Sequence, residues 1–379
     1  MNQPPDKISG RTAQTMAMKS GGYYSERTRG AKDVIDNATG MLLDAVDAIA
    51  PPSDHQPIRL ADFGAADGGT SAAAWYRCIE RLRDRFPGVQ VQMTYTDLPS
   101  NDFSTLFKNL LGFGALDAKT YLTDIKDVFV SACGIGFHQQ LLPDATLDIG
   151  FSATAMHYIS EKPCVIENHV HMVGATGSTL DAYANQARQN WDDLLTARAK
   201  ELRPGGRLVM LNFGIDEEGR YLGNTGGVNM FDTFSNLWEE MASQGKITDQ
   251  EFIDTAFPQY YRTIEEFCAP LLDESSAPFQ AGLRLVSAKT GVVRCPYRRA
   301  FDESAGAMSA REFAMSYIPT LRSWSEAVFL NGLSSERSPE EKAAIVDTFY
   351  QRYEDKVASD PNGHAMDYVH CYLAIEKVA

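Results

Sequence analysis

The stretch Asp62-Phe63-Gly64-Ala65-Ala66-Asp67-Gly68-Gly69-Thr70-Ser71 joins a short apolar run to a helical one. Its glycines permit positive φ and close backbone approach, and Thr70 or Ser71 can cap the next helix. A glycine-rich strand-to-helix turn suits a nucleotide-like cofactor, although an ordinary tight βα connection uses the same residues. The spacing is not G-x-G-x-x-G, which speaks against a dinucleotide, and no Gly-Lys-Ser/Thr is present, which speaks against a P-loop. A second acid, in Thr96-Asp97-Leu98-Pro99, ends the next apolar run. An ionised carboxylate there can accept both hydroxyls of a ribose; its plainer alternative is to cap the next turn. A ribose acceptor together with the wrong glycine pattern for NAD points to S-adenosylmethionine.

These residues need strands to carry them. Residues 58–63, 89–95, 147–151 and 207–213 read as strands, separated by helical stretches such as 72–86 and 181–202. Such alternation means parallel pairing with crossovers, hence an open α/β sheet whose ligands bind beyond the carboxyl ends of the strands. Apolar residues at helical spacing over 33–49 predict a core-facing helix stopped by Pro51-Pro52. Beyond residue 213 helices dominate, at 229–244, 249–256, 263–271, 310–332 and 339–357, broken by a strand pair near 283–287 and 291–294. The expected organisation is a closing segment over 1–30, an α/β core over 31–215, and a mainly helical substrate cap with the remaining strands over 216–379.

Composition sets the outer limits. A chain of 379 residues, 44% hydrophobic, has material for a sizeable core. Thirty-five Lys and Arg against fifty Asp and Glu give a net charge of −15, a field that repels polyanions and argues against nucleic acid. Residues 1–22 lack an apolar signal region and no run of about eighteen apolar residues occurs, so a soluble, cytoplasmic protein without a membrane partner is expected. The six cysteines, at 78, 133, 164, 268, 295 and 371, never form Cys-x-x-Cys, which excludes a zinc ribbon or dithiol site. His169 and His171 find no supporting ligands elsewhere, so no metal is expected.

Several segments resemble one family in the same order. The turn from Asp62 to Thr70 resembles the D-L-G-C-S-S-G-P-N turn of the SABATH methyltransferases, which esterify small carboxylic acids with S-adenosylmethionine. Asp97-Leu98-Pro99-Ser100-Asn101-Asp102-Phe103-Ser104-Thr105-Leu106-Phe107 is similar to their D-L-P-x-N-D-F-N-x-L-F. Phe137-His138-Gln139-Gln140-Leu141-Leu142-Pro143 resembles S-F-Y-x-R-L-F-P with Gly136 in place of the serine. Ser152-Ala153-Thr154-Ala155-Met156-His157-Tyr158-Ile159-Ser160 resembles S-S-Y-S-L-H-W-L-S. Arg198-Ala199-Lys200-Glu201-Leu202 is similar to R-A-x-E-L, and Phe257-Pro258-Gln259-Tyr260-Tyr261 to P-x-Y-x-P-S.

The resemblance implies a Rossmann-like class I methyltransferase sheet, mostly parallel with seven strands, under a helical cap. It implies S-adenosylmethionine as cofactor, S-adenosylhomocysteine as product, a small-molecule carboxylic acid as substrate, and a possible homodimer. Tyr23 would lie in the segment closing over the site. Asp62 and Gly64 would line the methionine side of the cofactor, Asp97 and Leu98 its ribose and adenine, and Phe137 with Gly136 before it the adenine face, while Thr70 and Ser152 would also bind the cofactor. His157 and Tyr158 would orient the acid, with Leu321 and Trp324 walling the acyl pocket. A carboxylic acid, with a pKa of about 4, is ionised at neutral pH and needs no general base, so catalysis would consist of positioning and desolvation.

The chain also departs from the family. Where Asn-Ser-x-x-Gln is usual it reads Glu26-Arg27-Thr28-Arg29-Gly30, so the amide that donates to the acid is missing. Thr154 replaces an aromatic ring and Tyr158 a Trp. Arg27, or a residue of the cap, taking over anion recognition, and a smaller aliphatic acid or a dicarboxylate in place of an aromatic one, would fit these changes. The alternatives are methylation of a hydroxyl or nitrogen, a cofactor-binding homologue without catalysis, and, more distantly, a nicotinamide oxidoreductase.

Overall fold

The computed structural model describes residues 29–52, 56–113 and 120–378. Helix α1 (Arg29–Ala48) leads into β1 (Ile58–Phe63), α2 (Ala72–Arg85) and β2 (Val91–Thr96), and α3 (Phe103–Leu110) precedes β3 (Val128–Cys133) and β4 (Leu147–Ala153). The long α4 (Gly177–Glu201) feeds β5 (Leu202–Ile215). Next come α5 (Met230–Ser243), α6 (Asp249–Asp254), the two-residue β6 (Arg262–Thr263), α7 (Ile264–Leu272), β7 (Leu283–Val293), α8 (Pro296–Glu303), α9 (Ala310–Gly332), α10 (Pro339–Ser359) and β8 (Tyr368–Lys377). Ser and Thr residues start four of these late helices: Thr248, Thr263, Ser309 and Ser338 each form a capping box with the Glu three positions on.

The main sheet runs β3-β2-β1-β4-β5-β8-β7, seven strands in line, with β6 pairing the end of β5 as an eighth. All pairs from β3 to β5 are parallel, and β8 is antiparallel to both β5 and β7. The chain steps outward from β1 to β3, then returns to place β4 on the other side of β1. The winding therefore reverses between β1 and β4, and the crevice beyond their carboxyl ends is where such sheets hold ligands.

Both faces of the sheet are covered, which explains apolar runs such as Leu208 to Leu211 in β5. In β5, Val209 and Leu211 pack with Val34 and Leu42 of α1, while Leu208 and Met210 pack with Trp191 and Leu195 of α4. A layer of rings joins α5, α9 and α10: Phe234 lies 5.4 Å from Phe329 and 5.8 Å from Phe349, and Trp238 5.0 Å from Phe329. Among the described residues, no helix is long and apolar enough to cross a membrane. No group of three or more His, Cys, Asp and Glu in the same residues could hold a metal ion.

Three points correct the strand reading. The expected pair at 283–287 and 291–294 is one continuous strand, β7, because Gly291 stays extended and lets its backbone approach the ring of Tyr372 on β8. β3 escaped notice because it is an edge strand: Phe129 is exposed and Val128 and Val130 only half-buried. β8 was hidden by His370, Cys371 and Glu376, although insertion between β5 and β7 buries most of it.

Candidate active site at the carboxyl ends of the sheet

The first turn is built by hydrogen bonds reaching in from β2 and from residues 97–109 beyond it. The backbone N–H groups of Gly64 and Ala65 both donate to the Thr96 carbonyl, at 2.9 and 3.1 Å. Asp97 accepts from the N–H of Ala66 at 2.7 Å with one oxygen and from that of Leu98 at 2.7 Å with the other. Asn101 and Asn109 donate to the carbonyls of Ala66 and Asp67, at 2.8 and 2.9 Å. Gly64 is at φ +77°, and a Cβ there would lie 2.5 Å from that of Ala155; only glycine fits.

Asp62 is buried at the end of β1, where one oxygen accepts from the Ser71 hydroxyl at 2.6 Å and from the Trp75 indole at 2.9 Å. Ser71 is the N-cap residue of α2, but it makes no capping bond and spends its hydroxyl on Asp62, which corrects the expected cap; Thr70 beside it is half-buried. Burial pushes the Asp62 carboxyl up to about 6, with the negative charge of Asp97 adding to the rise. Burial likewise raises Asp97 to about 6, against the pull of its two N–H donors. Two carboxylates that repel one another at neighbouring strand ends suit a ligand that carries positive charge and hydroxyl donors. That is the chemistry of the sulfonium, ammonium and ribose diol of S-adenosylmethionine, so the residues present fit this cofactor.

The loop after β3 brings Phe137 to the same place: its ring would lie 3.9 Å from a Cβ on Gly64. Neither Arg198 nor Glu201, one turn apart on α4, received a role from sequence, yet they hold this loop. Arg198, fully buried, donates to the carbonyls of Phe137 and Gln139 at 3.0 and 2.8 Å. Glu201 accepts from Arg198 and from the N–H groups of Leu141 and Leu142. Ser152 is buried and donates to the Phe63 carbonyl at 2.8 Å, tying β4 to β1 at the reversal point.

Opposite lies a wall of rings and polar groups. Thr154, at φ +58°, is a β-branched residue in a left-handed conformation; its hydroxyl pairs with His370 at 3.0 Å. His157 is 2% exposed, with Nδ1 lacking a partner, and its ring lies 4.6 Å from Tyr158, 4.9 Å from Phe213 and 5.8 Å from Tyr261. Burial holds its pKa well below the usual range, and it lowers that of His370 to about 3; both rings are neutral. Segments 157–159 and 258–260 run side by side: the N–H of Ile159 donates to the Pro258 carbonyl and that of Tyr260 to the His157 carbonyl, both at 2.9 Å. Burial raises the Tyr158 hydroxyl, and the negative charge of Asp97 raises it further.

Asp62, Gly64, Asp97, Leu98, Phe137 and Ser152 thus stand at the carboxyl ends of β1 to β4 or in the loops that follow them, as do Thr70 and Gly136, and His157 packs against Tyr158 beyond β4. Trp324 stands two rings away, 6.2 Å from Phe231, which is 6.0 Å from Tyr261; Leu321 is wholly buried in the core. His169 and His171 serve other partners, His169 pairing with Asp232 at 3.2 Å. Tyr23 and Arg27 lie outside the described residues. Gly30 opens α1, and a Cβ on it would fall 2.1 Å from the ring of Tyr368. That ring fills the space in which the family's Gln side chain would start.

The chain is 26% identical over 254 residues to gibberellic acid methyltransferase 2 of Arabidopsis thaliana, an alignment covering 60% of this chain and 63% of that protein. It is 27% identical over 247 residues to the farnesoic acid carboxyl-O-methyltransferase of the same plant, covering 61% and 67%. The match thus spans about two thirds of these relatives. A loganic acid methyltransferase structure with S-adenosylhomocysteine superposes with a TM-score of 0.73 at 18% identity, covering 96% of this chain and 99% of that one, and so shares its fold. The family described as SAM dependent carboxyl methyltransferases matches residues 13–378. With a family match over nearly the whole chain, and with the paired acids, the glycine turn and the winding reversal in place, this protein belongs to the SAM-dependent carboxyl methyltransferases.

Proposed function

We propose that this protein transfers a methyl group from S-adenosylmethionine to a carboxylate oxygen of a small acid, releasing a methyl ester. The observation that carries the reading is the pair of buried acids Asp62 and Asp97 at the ends of β1 and β2, beside the β1/β4 reversal. When bound, the cofactor supplies an electrophilic methyl on a sulfonium. Asp97 accepts the ribose hydroxyls while its own N–H donors hold it in place. Asp62 offsets the positive charge at the methionine end, and Phe137 covers the adenine side.

His157 and Tyr158 orient the acid. Because the substrate arrives ionised, no side chain has to remove a proton, and the neutrality of His157 is no handicap. The wall instead excludes water and holds one carboxylate oxygen, leaving the other free to approach the methyl within roughly 3–3.5 Å in line. Thr154 in place of an aromatic ring supports an aliphatic acid or a dicarboxylate over a flat aromatic one.

The test is incubation with methyl-labelled S-adenosylmethionine and a panel of succinate, adipate, octanoate and benzoate. Label should appear in a product that mild alkali releases as methanol, with the aliphatic acids ahead of benzoate. An alkali-stable product would identify a hydroxyl or nitrogen methyltransferase instead, and tight cofactor binding without transfer would indicate a non-catalytic homologue.

A further inference from the structure

The acyl wall contains a buried chain of hydrogen bonds whose direction is fixed from one end. His171 is fully buried, stacked on Phe231 with ring centroids 3.9 Å apart. Its Nδ1 accepts the backbone N–H of Val173 at 3.3 Å. Burial drives its pKa well below the ordinary range, so the ring is neutral with its single proton on Nε2. That nitrogen lies 3.2 Å from Oε1 of Gln259 and must donate to it. The Tyr261 hydroxyl donates to the same oxygen, also at 3.2 Å. With two donors on its oxygen, the Gln259 amide can offer only N–H to a further neighbour, and the antiparallel bridge between residues 158 and 259 sets Tyr158 beside it. Gln259 is 1% exposed and bridged to Tyr158 through the backbone as well, so its orientation has little freedom.

We propose that Gln259 is a positioning residue for the acid: by donating to the Tyr158 oxygen, it leaves that hydroxyl with its proton to give, and so makes Tyr158 an obligatory donor to the substrate carboxylate. This rests on the reading of Tyr158 as a carboxylate contact. The order Val173 N–H, His171, Gln259, Tyr158 and substrate is a chain in which each group accepts from one side and donates to the other. It also gives Tyr158, which stands where the family has Trp, the fixed donor polarity that an indole N–H possesses intrinsically.

The experiment is a double-mutant cycle with Tyr158→Phe and Gln259→Met, using labelled S-adenosylmethionine and whichever of succinate, adipate, octanoate or benzoate is turned over fastest. Each single change should lower kcat/KM for the acid by about tenfold, the scale of one hydrogen bond to a charged group. The double variant should be little worse than either single one, with cofactor affinity near wild type; because methionine leaves the His171 and Tyr261 donors without their acceptor, both methionine variants melt lower than wild type and are assayed well below that transition. Gln259→Glu keeps the volume and both donors to the oxygen but turns the Tyr158 side into an acceptor when ionised; its kcat/KM should rise as pH falls from 8 to 6, where wild type stays flat. That variant decides the matter even if the methionine substitution fails to fold. Additive losses in the cycle, or a flat Gln259→Glu profile at wild-type level, would overturn the relay and leave the carboxylate reading standing. An unchanged rate in Tyr158→Phe, or no turnover of any acid, would remove that reading and the relay with it.

Discussion

The cofactor side and the acyl side of the crevice are built in different ways. On the cofactor side, apart from the side-chain bonds of Ser71 and Trp75 to Asp62, the polar contacts end on backbone atoms: Asp97 holds Ala66 and Leu98, Asn101 and Asn109 hold the turn, and Ser152 holds β1. Little there depends on which side chains the substrate presents. The acyl side is assembled from segments far apart in sequence, with Thr154, His157, His171, Gln259, Tyr261 and His370 meeting only after folding, and its contacts run between side chains. A backbone-anchored site tolerates sequence drift around it, whereas a side-chain network changes specificity with each substitution. This chain keeps the family's motif on the first side and departs from it on the second.

The contrast can be broken most severely at the loop that closes the cofactor side. Arg198→Met would strand the Glu201 carboxylate, which is fully buried, and release the 137–142 loop; unfolding in urea should show a loss of about 3–5 kcal/mol. A stability within 1 kcal/mol of wild type, roughly the scale of a surface pair, would mean that the pair does not hold this loop. Asp97→Ala should weaken S-adenosylmethionine binding by about 1.5–3 kcal/mol in calorimetry. Because the acyl wall is untouched, substrate selectivity among the acids that still react should be preserved.

The two acids also set a pH dependence of definite sign. Folding raises Asp62 and Asp97 to about 6 from an ordinary value of 3.8, so the folded chain holds protons that the unfolded chain has lost. These two acids therefore contribute stability that is lost as pH rises from about 4 to about 6, while the buried histidines, neutral in the fold, contribute with the opposite sign over the same window, so the acid share is read as the difference between wild type and Asp97→Asn. Cofactor binding needs the ionised acids and should weaken about fivefold between pH 6 and pH 5 for one obligatory ionisation at about 6. That difference and the cofactor titration run in opposite directions across this window if the assignment holds and in parallel if it fails. The smallest effect belongs to the acyl side: Thr154→Gly relieves a left-handed φ worth about 1–2 kcal/mol while losing the bond to His370, worth roughly 0.5–1.5 kcal/mol. Stability should stay within about 1 kcal/mol while preference among acids shifts.

The same division decided what could be read before folding. Residues 97–109 announce their function because their partners are near: Asp102 caps α3 by accepting from Thr105, and Asn101 reaches the turn that β1 and β2 share. The parallel core was legible because strands buried on both faces carry apolar runs, as in Leu208 to Leu211 of β5. Arg198 and Glu201 matched a motif but gave no hint of their task, since the loop they hold lies about 60 positions earlier. Gln259 sat inside a recognised segment, yet its partners His171 and Tyr158 are 88 and 101 positions away and no spacing rule joins them. Gly30 looked like a lost donor; the ring of Tyr368, more than 330 positions on, shows that the space is already filled.

The most direct test is a crystal structure of the protein with S-adenosylhomocysteine. The ribose diol should lie within hydrogen-bonding distance of the Asp97 carboxylate, with the sulfur turned toward the His157–Tyr158 wall. A nucleoside bound elsewhere, or a sulfur turned away from that wall, would contradict the assignment of the β1/β4 crevice as the place where the methyl group meets its carboxylate.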